Sequence, residues 1–359
     1  MGKFSEELAR VTRVGLDLAK NVFQAHCVDT EGKVVSTRKL RRGSVIEFFK
    51  GLPTCVVAME ACSSSHHWGR EIAALGHEVK LIPAAHVKPY VRRNKTDAAD
   101  AAAICEAAMR PGQRFVAVRS VENQAAVMRH RVREQFVEQR TALLNALRGH
   151  LSEIGVIAPQ GAQHAYRLMT LIDNGFDDNG EIVVPESARA ALAPLAKQIE
   201  AIDEHLATID AELVAAAKAD VKAKALMTIP GIGPVIATAI LATVGDFSSF
   251  ASGREFAAFL GLTPRQHSSG GKERSAGISK MGDRYLRKLL VVGATSALRH
   301  AAGHDDALRR WAKELLERKA GSTKYAFKLT AVALANKLAR TVFAILRSGK
   351  VYDDRPVAA

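Results

Sequence analysis

Val14-Gly15-Leu16-Asp17-Leu18-Ala19-Lys20 sets an aspartate inside an apolar run that otherwise reads as a β-strand. An unpaired carboxylate is costly to bury in such a run, so Asp17 asks for a reason beyond folding. Val56-Val57-Ala58-Met59-Glu60-Ala61 poses the same question with Glu60. Lys95-Thr96-Asp97-Ala98-Ala99-Asp100 then opens an alanine-rich helical run with two acids three apart, which project from one face of its first turn. Carboxylates that meet repel one another unless a cation sits between them, and all-oxygen ligands suit Mg²⁺ or Mn²⁺. The quartet Asp17, Glu60, Asp97 and Asp100 therefore predicts a divalent-metal site for phosphoryl chemistry. Each acid also has a plain structural role open to it. Asp97 suits a helix N-terminus, Asp100 a solvated neighbour, Asp17 a hairpin and Glu60 a strand end facing water.

Around Asp17 the pattern predicts strands from Arg13 to Ala19, Phe23 to Val28 and Lys33 to Leu40, the last two joined at Asp29-Thr30-Glu31-Gly32. A short helix near Val45 to Lys50, a buried strand Cys55 to Met59, a helix Trp68 to Leu75 and a strand Val79 to Ile82 follow. Three hairpin-linked strands and then alternating helix and strand is the order of an α/β RNase H-like fold, and the acids fall along it in strand, strand and helix order.

A net charge of +14 over 359 residues makes an acidic polymer the expected partner. The hydrophobic fraction of 48% describes a globular chain. We read no apolar stretch of membrane-span length and no apolar signal-peptide core after Met1, which predicts a cytoplasmic protein with no membrane partner. Cys27, Cys55, Cys62 and Cys105 have no metal-ligand spacing and read as buried, reduced thiols.

Val121 to Ile154 reads as one long helix, with Val121, Ala125, Met128, Val132, Phe136, Leu143, Leu147, Leu151 and Ile154 near heptad spacing. Eight arginines against three glutamates between Arg110 and His150 suggest an arm along a phosphate backbone, with Arg129 and Arg133 as candidate contacts; a solvated helix face is the alternative. Residues 155–187 read as a connection. Leu192, Leu195, Ile199, Ile202, Leu206, Ile209 and Leu213 alternate spacings of three and four, predicting an antiparallel coiled-coil arm or a dimer seam.

Ile229-Pro230-Gly231-Ile232-Gly233 has the form of a helix-hairpin-helix turn, in which Gly231 and Gly233 would admit a phosphate; interior packing is the competing use. Between Arg265 and Lys288 seven basic residues against two acidic surround the serine-bearing loop at Ser268-Ser269-Gly270-Gly271, with Arg265, Lys272 and Lys280 as phosphate candidates. His267 also stands there. Helices from Leu289 to Arg299, Trp311 to Lys319 and Lys324 to Leu346 complete a mainly α-helical C-terminal region.

Taken together, these motifs resemble the DEDD transposases of insertion sequences, the family that includes the Piv-type DNA invertase and the RNA-guided bridge recombinases. The resemblance runs from Gly15-Leu16-Asp17-Leu18-Ala19-Lys20 to Lys337-Leu338-Ala339-Arg340 and includes Gly261-Leu262-Thr263-Pro264 and Ile278-Ser279-Lys280. It implies a RuvC-like domain at 1–115 whose acids bind Mg²⁺, a helical arm at 116–225, a transposase domain with a serine loop at 226–350, and a loose tail at 351–359. It implies a serine nucleophile at Ser269, with Ser268 one residue away as the alternative, and a phosphoserine-DNA intermediate. It further implies donor and target DNA, a guide RNA and a homo-oligomer, dimer or tetramer. Two other readings compete: a RuvC-like nuclease or resolvase using metal-activated water, and a non-catalytic architectural binder of nucleic acid. The second leaves acids in the strands of a basic protein without a purpose.

Overall fold

Strands β1 (Arg13–Asp17), β2 (Val22–Val28) and β3 (Val34–Arg41) form an antiparallel meander. The β2–β3 turn closes because the Asp29 carboxylate accepts from the Glu31 and Lys33 amides, at 3.0 and 2.9 Å. Helix α1 (Val45–Lys50) leads into β4 (Val56–Glu60), α2 (Ser65–Ala73) into β5 (Glu78–Ile82), and the short α3 (Ala84–Val87) precedes α4 (Asp97–Met109). β4 lies parallel to β1 and β5 parallel to β4, giving a mixed five-stranded sheet of order β3-β2-β1-β4-β5. A parallel neighbour needs a crossover, and α1 and α2 supply it. The computed structural model describes residues 7–91, 96–157, 161, 164–176, 180–266, 275–321 and 323–354.

The two faces of this sheet are packed differently. Val14, Leu16, Val57 and Met59 point to one face, where Phe49, Trp68 and Ile72 fill the core. Ala58 and Ile82 point to the other, against Ala103, Ile104 and Ala107 of α4. Strand alternation puts Gly15 on that same α4 face. There a Cβ would run into the Ala101 carbonyl oxygen and stand 2.7 Å from the Cys105 amide nitrogen, so glycine is what lets α4 lie against β1.

The chain divides into two compact units, Met1–Gln124 and Ala125–Ala359. The second holds nearly all of α5 (Val121–Ser152), then α6 (Ala165–Asn174), α7 (Glu186–Ala219), α8 (Val221–Met227), α9 (Pro234–Val244) and α10 (Gly253–Phe259). A hairpin of β6 (Pro264–Gln266) and β7 (Ser275–Ile278) follows, and then α11 (Arg284–Arg299), α12 (Ala307–Ala320) and α13 (Ala326–Ser348).

α5 and α7 run antiparallel, which their ion pairs record: Arg129 with Glu212, Arg133 with Asp210 and Arg140 with Asp203. Leu144, Leu147 and Leu151 pack with Leu192, Ala196 and Ile199 at one end. The heptad expectation needs correction on α5. Met128 and Val132 are 56% and 44% exposed, and the face toward α7 carries Arg133, Arg140 and Phe136, the last stacked on His205 at 5.2 Å. Polar pairs rather than an apolar seam join that half of the helices. The connection expected at 155–187 contains α6, whose Leu168, Met169 and Ile172 are buried in the same cluster.

One further expectation changes. α13, 23 residues long, is long and apolar enough to cross a membrane. It is the central packing helix of the second unit, set against α8, α10, α11 and α12 with Leu334, Leu338 and Val342 fully buried. The four cysteines are free; burial pushes the Cys27 thiol up to about 12 and Cys55 and Cys105 to about 11, whereas Cys62 is only half-buried.

The close approach at Gly15 makes a direct prediction. Gly15→Val should cost the first unit on the order of 3 kcal/mol, because helix backbone and not a flexible side chain occupies the space. Urea unfolding followed by the fluorescence of Trp68 will show a lowered midpoint, and an unchanged midpoint would mean that α4 does not depend on this contact.

Candidate active site

Asp17 ends β1 and Glu60 ends β4. The parallel register pairs Leu16 with Met59, so the next residues, Asp17 and Glu60, stand side by side at the C-terminal ends of adjacent strands. Both lie two residues beyond a member of the α4 face, Asp17 after Gly15 and Glu60 after Ala58, and so point to the side that α4 covers. α4 reaches β1 at Ala101, over Gly15. The turn just before that contact carries Asp97 and Asp100. Thr96 caps it, its hydroxyl accepting from the Ala99 amide at 3.2 Å, so the first turn has a defined start. Sheet register and one helix crossing thus bring all four predicted acids to one edge of one face. Asp17, Glu60 and Asp100 are half-buried and Asp97 is exposed.

The donor chemistry of that edge suits a hard divalent ion, since it is carboxylate oxygen throughout. Among the described residues, however, no three acid, histidine or cysteine side chains are gathered tightly enough to form one coordination sphere. The four predicted acids therefore do not form a closed coordination sphere in this arrangement.

The serine-bearing segment lies in sequence between β6 and β7, whose hairpin pairs Pro264 with Ile278 and Gln266 with Ser275. Ser268, Ser269, His267 and Lys272 lie outside the described residues, as does Lys95. The hairpin base is held firmly. Arg287 donates to the Leu260 and Met281 carbonyls at 3.0 and 3.1 Å, and Arg265 donates to the Ser279 carbonyl at 3.2 Å. Lys280 takes a positive φ of 56°, a backbone position rarely held without support, and its amide donates to the Gly261 carbonyl. Asp283 caps α11 through the Leu286 amide and receives Arg131 of α5 at 3.2 Å. The residue before Arg131 on α5, buried His130, meets the Tyr285 hydroxyl at 3.2 Å.

Other expected contacts have different occupations. Arg133 is forked onto Asp210 at 2.5 and 3.2 Å and Arg129 reaches Glu212 at 2.8 Å, so both are turned onto α7. At Gly231, φ is +89° and a Cβ would sit 2.7 Å from the Gly293 carbonyl oxygen; the turn is packed against α11. Gly233, at the start of α9, has open space around it. Lys337 and Arg340, three apart on α13, drew no attention in the sequence because a charged pair on a helix normally faces solvent. Their position within an otherwise apolar helix was the available signal.

Residues 14–156 match a family described as a transposase, of the DEDD type, and residues 223–310 match the Transposase IS116/IS110/IS902 family. A probable family 20 transposase of Pseudomonas aeruginosa is 44% identical over 95% of this chain and 98% of its own length. The chain belongs to the IS110 family of DEDD transposases. The transposase for insertion sequence element IS1111A of Coxiella burnetii is 39% identical over 94% of this chain and 90% of its own. A pilin gene-inverting protein of Moraxella bovis is 34% identical over a shorter stretch, 37% of this chain and 39% of its own. The five-stranded mixed sheet followed by helices is compatible with the RNase H-like fold of such transposases.

Two outcomes follow for the second unit. Burial, with Arg133, Arg129 and Arg131 nearby, pushes His130 down to about 4 from an ordinary 6.5. The fold therefore favours the neutral ring. Its stabilisation is complete above pH 6.5 and is lost as the pH falls from there toward 4, by ~3 kcal/mol. Thermal melts across that window will show the fall, and His130→Gln will flatten it. Separately, Arg133→Met should cost about 1 kcal/mol of stability, given the partial exposure of the pair, and leave DNA affinity within twofold. A large loss of DNA binding with unchanged stability would return Arg133 to the phosphate backbone.

Proposed function

We propose that this transposase cuts and exchanges DNA strands of an insertion sequence, with Asp17, Glu60, Asp97 and Asp100 holding a divalent ion, Mg²⁺ or Mn²⁺, and Ser269 as nucleophile. The observation that carries the reading is the meeting of the β1 and β4 ends beneath the first turn of α4. A chain of net charge +14 that carries acids at the ends of two adjacent strands is consistent with that reading. When bound, the ion supplies Lewis-acid stabilisation of the charge that develops on a phosphodiester.

The chain's own groups do the rest. The Ser269 hydroxyl attacks phosphorus, forming a serine–phosphate ester as the bond to the leaving deoxyribose oxygen breaks; the serine proton ends on that oxygen. A hydroxyl of a second DNA strand then attacks the phosphoserine, restoring the serine and joining the new strands. Phosphate contacts from Arg265, Lys272 and Lys280 around the hairpin support this chemistry, and so does the open backbone at Gly233. An RNA guide is part of the reading, with specificity in base pairing. Exchange between two duplexes calls for more than one copy, a dimer or tetramer, acting on DNA in the cytoplasm.

Excision of a marked element in cells, scored beside trapping of a covalent adduct on supercoiled DNA, tests the proposal. Asp17→Asn and Glu60→Gln should each lower excision by at least about 100-fold. Ser269→Ala should abolish the adduct, and Ser268→Ala should retain it. Excision at wild-type levels in both serine variants, with Asp17→Asn inactive, would instead favour hydrolysis by water. Sequencing of copurified nucleic acid tests the guide: absence of an RNA encoded by the element removes it.

A further inference from the structure

Below the base of the β6–β7 hairpin, inside the second unit, α12 and α13 enclose a cleft of about 1260 Å³. Its rim and walls carry Arg265, Lys280, Lys337 and Arg340 beside Trp311, and no carboxylate lines it among the described residues. The remaining lining is mostly apolar, including Leu329, which is 52% exposed on α13. The Lys337 ammonium sits 4.3 Å from the centre of the Trp311 ring. Burial, and then the neighbouring Arg340, lower the Lys337 pKa against a smaller opposing pull from Glu314.

Resting on the transposase reading above, we propose that this cleft holds an unpaired stretch of DNA, with phosphates on the four cations and a base against the Trp311–Leu329 wall. Charge selects the occupant: four cations, with no lining acid among the described residues, call for a polyanion. Shape selects the unpaired form. A duplex presents phosphates and would leave the apolar wall wet, whereas an unstacked base covers such a wall with its flat face. Two polar side chains of the cleft already donate inward, Thr341 to the Lys337 carbonyl at 3.0 Å and Asn336 to the Leu262 carbonyl at 3.1 Å. Those bonds leave the Asn336 amide and the Thr341 oxygen able to meet either sugar, so the choice of DNA comes from the transposase reading, and RNA is an outcome of the test.

The test uses the full chain in chelator, so that binding is read without strand cutting. A fluorescein-labelled mixed-sequence single strand, its duplex and the matching RNA are titrated by anisotropy against wild type, Lys337→Gln/Arg340→Gln and Arg265→Gln/Lys280→Gln. Each double variant should bind the DNA single strand at least about tenfold more weakly and lower the salt slope by about 1.4, two phosphate contacts' worth. Duplex affinity should fall clearly less than single-strand affinity. In a Trp68→Phe background the single strand should quench the remaining Trp311. Variants are compared only where melting shows them folded; the two double variants touch different walls, so loss of one fold leaves the other to decide. Equal loss on duplex and single strand, no loss on either, no quenching, or tighter binding of RNA would each overturn the assignment. Asp17→Asn separates this inference from the catalytic one. If Asp17→Asn abolishes excision while the cleft variants bind like wild type, only the cleft is wrong; if it excises normally while they lose the strand, only the catalytic reading is.

Discussion

The contact between α4 and β1 at Gly15 is the constraint on which the first unit depends. A helix normally stands off a sheet by the length of its side chains; here backbone meets backbone, because Gly15 has none and α4 presents Ala101. That proximity turns a generic α/β layer into a site. It brings the capped first turn of α4 to the C-terminal ends of β1 and β4, the edge where parallel strands leave their polar ends open. The acids are tolerated because they stop short of the core: Leu16 and Met59 are fully buried, and the carboxylates one residue later are half-buried.

The second unit follows another logic. Its core is a bundle around α13, and the hairpin proposed to serve the chemistry has strands too brief to be stable alone. The base is therefore tied from three sides: by Arg287 to two carbonyls, by the Lys280 amide to Gly261, and through Asp283 and Tyr285 to Arg131 and His130 of α5. The arginines of α5 make the same point from the other direction. A basic helix suggests phosphate, yet acids placed at matching heights on α7 use Arg133 and Arg140 to hold two long helices together. Arg265, Lys280, Lys337 and Arg340 gather instead at the cleft under the hairpin, whose lining carries no carboxylate among the described residues.

Strand order was legible because each strand of the first unit is a short apolar run bounded by turn residues, and the acids were legible because they break those runs. The serine loop was legible as a composition, polar and glycine-rich between basic residues. What escaped reading had a common cause. α6 was hidden because turn signals at Asn174-Gly175 and beyond outweighed three apolar residues whose value lies in contacts with distant helices. The α5 heptad misled because spacing describes a stripe without saying what faces it, and Met128 and Val132 face outward. Gly231 was read as an approach for phosphate when its neighbour is the Gly293 carbonyl, more than sixty residues away in the chain.

By itself the sequence determined the transposase family, the α/β-then-helical order and the basic charge, and it pointed to the four acids proposed as metal ligands, since these reside in residue types and local spacing. Only tertiary structure decided that Asp17 and Glu60 stand in register, that glycine at position 15 admits the helix bearing Asp97 and Asp100, and that Lys337 and Arg340 turn toward a cleft. Those outcomes depend on which segments far apart in the chain share a surface, and packing and charge pairing settle that only once the chain has closed on itself.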